Sequence, residues 1–114
     1  MTRVRLLLLG VALVTLGLVA GCGQTATAAP VQTDQVNLPP SYRFDPAVIQ
    51  VVAGTTVTWT NNDHFTHSVK VQDAPDHVIR PGESVSIVFE TPGSYSYICT
   101  FHTKDMKGTV IVAS

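Results

Sequence analysis

From residue 42 to its end the chain is written in short alternating runs, and that pattern leaves few folds open. Thr55–Thr60 sets Val57 and Trp59 on one side of a strand and Thr56, Thr58 and Thr60 on the other. Ser84–Phe89 repeats the arrangement with Val85, Ile87 and Phe89, and Ser94–Cys99 with Tyr95, Tyr97 and Cys99. Ala47–Val52, Thr66–Val71 and Gly108–Ala113 read as further strands, the second with His67, Val69 and Val71 in phase. Shorter strands are expected near Tyr42–Phe44 and His77–Ile79. Ala53-Gly54, Asn61-Asn62-Asp63, Pro81-Gly82 and Pro92-Gly93 are turn signals between them. A period of two marks half-buried strands, and no apolar period of helical spacing runs long enough to compete. The pattern predicts an all-β protein, a Greek-key β-sandwich of two antiparallel sheets with about seven or eight strands. A sandwich this short has a modest core, so a bound metal would add to its stability.

Upstream of that domain the composition changes twice. Met1–Arg5 carries two arginines and no acid, and Leu6–Ala20 is Leu, Val, Ala and Gly interrupted only by Thr15. A basic segment followed by an apolar one is the layout of an export signal. Its apolar part spans about 22 Å as a helix, short of the roughly 30 Å of a bilayer core. Leu18-Val19-Ala20-Gly21-Cys22 then resembles the lipobox of bacterial lipoproteins. The resemblance implies cleavage before Cys22 and acylation of that residue, which holds a protein to a membrane stably only when several chains are attached. The expected organisation is a signal peptide over 1–21, a lipidated N-terminus and flexible tether over 22–40, and the folded domain over 41–114. The tether reading rests on a stretch of Thr, Ala, Gln, Pro and Asn with little to bury. The protein is thus expected outside the cytoplasm, anchored to the membrane.

Charge and cysteine usage narrow the function. Beyond residue 21 five bases, Arg43, Lys70, Arg80, Lys104 and Lys107, face eight acids, a net charge of −3. No basic cluster remains to hold a phosphate backbone, which excludes nucleic acid as a partner. With Cys22 lipidated, Cys99 is the one remaining thiol of the 114-residue chain and cannot form an internal disulfide. A lone thiol in an exported protein is either an inert buried hydrophobe or a metal ligand.

The residues around it favour a metal. Cys99-Thr100-Phe101-His102-Thr103-Lys104-Asp105-Met106 offers a thiolate, an imidazole and a thioether from one loop held between two strands. His67, following the Asn61–Thr66 turn, is placed to add a second imidazole. His64 is the alternative, but strand parity puts it on the opposite side from His67. One thiolate and two imidazoles with a weak axial thioether is the donor set of a mononuclear electron-transfer copper site, whereas calcium and magnesium require oxygen. A tetrahedral zinc site using His64, His67, Cys99 and His102 is the competing metal reading. Colour separates the two, since oxidised copper–thiolate absorbs intensely and zinc is colourless.

Residues 42–114 resemble a cupredoxin of the plastocyanin and pseudoazurin type. The matching segments are Phe44-Asp45-Pro46, Gly54–Asp63, His67-Ser68-Val69, Gly93–Cys99, His102 and Met106–Val110, in the family's order. The resemblance implies one type 1 copper ion at one end of the sandwich, held by His67, Cys99, His102 and Met106. It also implies that Ser68 ties the two ligand loops together, with a backbone N–H aimed at the Cys99 sulfur. Three residues stand between His102 and Met106 where the family commonly has two or four. His64, Phe65 and Phe101 are candidates for an apolar docking face beside a histidine ligand; such redox interfaces are small. The implied activity is single-electron transfer between redox proteins of a membrane or envelope chain. It needs no catalytic residues and no small-molecule substrate, and a monomer suffices. The alternative is a lipoprotein that binds or delivers copper as cargo.

Overall fold

Nine strands form within residues 29–114, the part of the chain that the computed structural model describes. They are β1 (Val31–Gln32), β2 (Gln35–Leu38), β3 (Val48–Val52), β4 (Thr55–Asn61), β5 (His67–Val71), β6 (Asp76–Ile79), β7 (Ser84–Phe89), β8 (Gly93–Ile98) and β9 (Lys107–Ala113). Cys22 and the signal segment lie outside the described residues. Among the described residues no helix is long and apolar enough to cross a membrane.

The strands pack as two sheets, one of six in the order β1-β3-β9-β8-β5-β6 and one of three in the order β2-β4-β7. The all-β sandwich is therefore as the alternation predicts, but its sheets are mixed rather than antiparallel. β1 with β3, β3 with β9 and β2 with β4 run parallel, while the remaining pairs are antiparallel. Parallel neighbours arise because β3 and β4, consecutive in sequence, belong to different sheets, so the chain crosses the sandwich instead of folding back beside itself.

Inner-face residues make the core. Val57, Trp59, Ile49, Val69, Tyr97 and Val110 are all at most 1% exposed. On the opposite face of the smaller sheet, Thr58 pairs with Ser86 and Thr60 with Ser84, each by a hydroxyl–hydroxyl bond of 2.8 Å. That is the inside-apolar, outside-hydroxyl division read from the period of two.

Two expectations for the N-terminal side are corrected. Residues 31–38 are not tether: β1 and β2 extend the two sheets, so the folded unit begins near Val31 rather than at residue 41. The cause is a local alternation, Gln35-Val36-Asn37-Leu38, which buries Val36 and Leu38 at 2% and 0% exposure. Each such burial contributes about 1.5–3 kcal/mol toward the cost of ordering the strand. Tyr42–Phe44, in turn, is not a strand. Ser41 and Tyr42 take left-handed backbone angles, φ of 105° and 52°, and turn the chain so that Asp45 exchanges two 2.8 Å backbone bonds with Asn37. Phe44 drops into the core, its ring 4.8 Å from that of Tyr97.

This topology delivers the site. The β4–β5 turn and the β8–β9 loop lie at one end of the sandwich, with the Ser41–Tyr42 turn beside them.

Candidate metal centre

Cys99 follows the last residue of β8 and continues its inward phase, which leaves the side chain fully buried. The loop after it is closed by its own backbone. His102 N–H donates to Cys99 O at 3.1 Å, Met106 N–H to His102 O at 3.0 Å, and Cys99 N–H to Met106 O at 3.1 Å. The second of these bonds spans four residues, one helical-type turn, and it returns Met106 beneath the loop. Met106 is 0% exposed while Asp105 is exposed. Three intervening residues thus suffice to bring Met106 inward.

His67 opens β5 and is also wholly buried. Its Nδ1 lies 3.9 Å from Cys99 Sγ. A nitrogen and a sulfur bound to one metal ion at zinc-like lengths, with tetrahedral to trigonal angles, stand about 3.6–3.8 Å apart, so the two atoms are spaced as co-ligands. The next residue completes the link between loops. Ser68 N–H donates to Cys99 Sγ at 3.3 Å, and Ser68 Oγ bonds the Thr100 N–H and Thr100 Oγ1, each at 2.8 Å. Thr100 Oγ1 in turn donates to Asp76 Oδ2 at 2.7 Å.

His102 is half-buried, its ring 5.4 Å from the His67 ring. Among the described residues no three His, Cys, Asp or Glu side chains close into a metal cluster. The close pair is Cys99 with His67, and His102 and Met106 flank it. The donor types suit a soft or borderline transition metal and not an alkaline-earth ion. His64, the alternative first histidine, is exposed. Phe65 and Phe101 are 57% and 54% exposed at this end of the molecule.

Two residues here escape a reading of the sequence. Tyr42 stands over the histidines, its ring 4.5 Å from His102, 6.1 Å from His67 and 6.0 Å from Phe65. No local pattern marks it, because a distant turn carries it there. Asp63 is buried, with Oδ2 2.8 Å from His67 Nε2 and Oδ1 accepting the His64 N–H at 2.7 Å. The His67 bond holds the Asp63 carboxyl below the ordinary carboxylate range, against the opposing effect of burial. Its spacing of four residues before His67 is the one signal the sequence offers.

Comparison with known proteins places the fold in a family. The model of a cupredoxin-like domain matches residues 11–112. Amicyanin-alpha of Methylorubrum extorquens is 32% identical over 105 residues, covering 86% of this chain and 87% of the relative. Plastocyanin of Scenedesmus fuscus is 36% identical over 83 residues, 60% of this chain and 85% of the relative. Among solved structures, a purple cupredoxin from Nitrosopumilus maritimus superposes with a TM-score of 0.63 at 29% identity, over 69% of this chain and 98% of that one.

Proposed function

Because the chain belongs to the cupredoxin-like family, we propose that it is a membrane-tethered type 1 copper protein carrying single electrons between redox partners. The observation that carries the reading is the buried Cys99–His67 contact, with the Ser68 N–H directed at the sulfur. His67 Nδ1, Cys99 Sγ, the His102 ring and the Met106 thioether are the donors we assign. Copper bound there would supply a one-electron Cu(I)/Cu(II) couple. The protein's part is to hold those donors in a rigid loop pair, so that little moves between oxidation states. As a member of that family, this chain is a carrier and not an enzyme. Tyr42, Phe65 and Phe101 leave exposed aromatic surface beside His102, which suits a small, transient redox contact.

Reconstitution with copper tests the reading. The loaded protein should absorb intensely in the visible, bleach on reduction and recover on reoxidation while retaining its metal. Release of the metal on reduction would instead support delivery of copper as cargo.

Met106→Leu refines the assignment. The exchange nearly conserves volume in a fully buried position, so its cost to stability is below about 1.5 kcal/mol. Copper and most of the colour should be retained. The reduction potential should rise, because losing a weak thioether donor would disfavour Cu(II) more than Cu(I). An unmoved potential removes Met106 from the donor set.

The tether is proposed on the Leu18–Cys22 segment alone. Mass spectrometry of the native protein should find an acylated N-terminus at Cys22, and Cys22→Ser should abolish the modification. A mature N-terminus elsewhere without acyl chains refutes the anchor.

A further inference from the structure

The β4–β5 turn holds a buried carboxylate that the four donors do not account for. Asp63 is 5% exposed and His67 is wholly buried, with 2.8 Å between Oδ2 of the one and Nε2 of the other. Burying a carboxylate is costly unless hydrogen bonds replace its water. Here the turn supplies one of them and fixes the backbone that carries the carboxylate. His64 N–H donates to Oδ1, and the Asp63 N–H donates to Oδ1 of Asn61 at 2.9 Å. Asn61, also fully buried, ties the turn to the rest of the sandwich by donating from Nδ2 to Phe65 O and Ile79 O at 2.8 and 2.9 Å. The carboxylate is therefore fixed from its backbone and its side chain together, with Oδ2 facing the imidazole.

An ionised carboxylate only accepts hydrogen bonds, so the ring nitrogen facing it carries the proton. The same contact turns the other ring nitrogen, Nδ1, toward Cys99 Sγ, 3.9 Å away. We propose that Asp63 is a positioning residue for the copper site: it selects the His67 tautomer with Nδ1 free for the metal, and its buried charge, acting through that ring, favours Cu(II) over Cu(I). The inference rests on the copper reading above. A carboxylate behind a ligating histidine orients the ring and raises its basicity, and losing such a partner commonly lowers metal affinity about 10–100-fold. The more basic donor and the nearby negative charge both stabilise the higher oxidation state more. Copper held there would supply a one-electron couple, Cu(II) plus an electron giving Cu(I), which would need no proton and no bond made or broken in the protein. The change in relative affinity is thus read directly as a potential.

Asp63→Asn separates charge from hydrogen bonding, since the amide oxygen can still accept from Nε2–H. Its Cu(II) affinity should fall about tenfold relative to Cu(I), a rise in midpoint of about 59 mV for a one-electron couple. Asp63→Ala removes both effects. Nitrogen-15 spectra of the metal-free wild type at neutral pH should show the His67 proton on Nε2, and Asp63→Ala should show a mixture of tautomers. The wild-type spectrum needs no variant to fold. A His67 proton on Nδ1 in the wild type overturns the proposal. So does an Asp63→Asn protein whose melting temperature drops while its affinity ratio stays within twofold of wild type, because that is loop packing alone. A wild type that never develops the copper–thiolate absorption defeats the copper reading and this inference with it; a coloured wild type with unmoved variants removes only Asp63.

Discussion

Gly108→Ala is expected to lower the thermal midpoint of the protein by about 12–24 °C, for a destabilisation of about 3 kcal/mol in a domain of this size. The expectation comes from one crossing. Tyr97 is 1% exposed, and its hydroxyl donates to Ala47 O at 2.8 Å. To reach that carbonyl, the phenol passes directly over Gly108, its cross-strand partner in the β8–β9 register. A Cβ built on Gly108 would stand 2.2 Å from Tyr97 Cζ and 2.4 Å from Ala47 O. Neither can give way cheaply, because the ring is wedged between Trp59 and Phe44, with centroids 5.3 and 4.8 Å away, and the carbonyl is backbone. Displacing the ring also forfeits its hydrogen bond, about 1 kcal/mol, and leaves a buried phenol unpaired. Burial already pushes the Tyr97 phenol to a higher pKa than usual, so it remains a donor throughout the physiological range. Trimming the ring with Tyr97→Leu should restore part of the stability lost in Gly108→Ala, whereas Tyr97→Phe should not, since Cζ remains. A midpoint within about 4 °C of wild type for Gly108→Ala would mean that this crossing is misplaced.

The same crossing shows what a sequence can reveal of such a protein and what it cannot. That Tyr97 points inward is legible from its alternation with Tyr95 and Cys99. That it needs a glycine opposite is not, because strand order is a long-range property. The mixed sheets have the same origin: each run announces a strand, and none announces its neighbour. β2 escapes for a different reason. Its alternation of Val36 and Leu38 lies within a stretch whose average composition is polar, and four residues are too few to outweigh that average. The residues proposed as donors are more legible in their placement. Cys99, His102 and Met106 share one short loop, and the choice of His67 over His64 follows from strand parity, with the first buried and the second exposed. Asp63 and Tyr42 are hidden because their roles depend on what a turn points at. The His102–Met106 spacing illustrates the remaining gap. Counting residues does not show which way Met106 faces, and the Met106 N–H to His102 O bond, a helical-type turn, brings it inward.

Cys99→Ser should abolish the intense visible absorption of the copper-loaded protein while leaving a folded chain. The sulfur is fully buried, receives the Ser68 N–H at 3.3 Å and faces His67 Nδ1 at 3.9 Å. Serine fits the same space, and its hydroxyl keeps a donor partner in the Ser68 N–H, so the cost to the metal-free fold is about 1–2 kcal/mol. The loss falls on the metal. A neutral hydroxyl is a hard donor where a soft anionic one stood, and it has no sulfur-to-copper charge transfer to offer. Copper affinity should fall by more than the about 10–100-fold that follows loss of an outer partner. His64→Ala, which alters an exposed ring, should change neither colour nor affinity. The pair of variants therefore discriminates among the metal readings. A tetrahedral zinc site built with His64 would lose affinity in both variants and show no colour in either parent or mutant. A site centred on Cys99 and His67 loses everything in the first variant and nothing in the second. If Cys99→Ser retained the absorption band, the chromophore would have to lie elsewhere, and with it the assignment of this end of the sandwich as the electron-transfer centre.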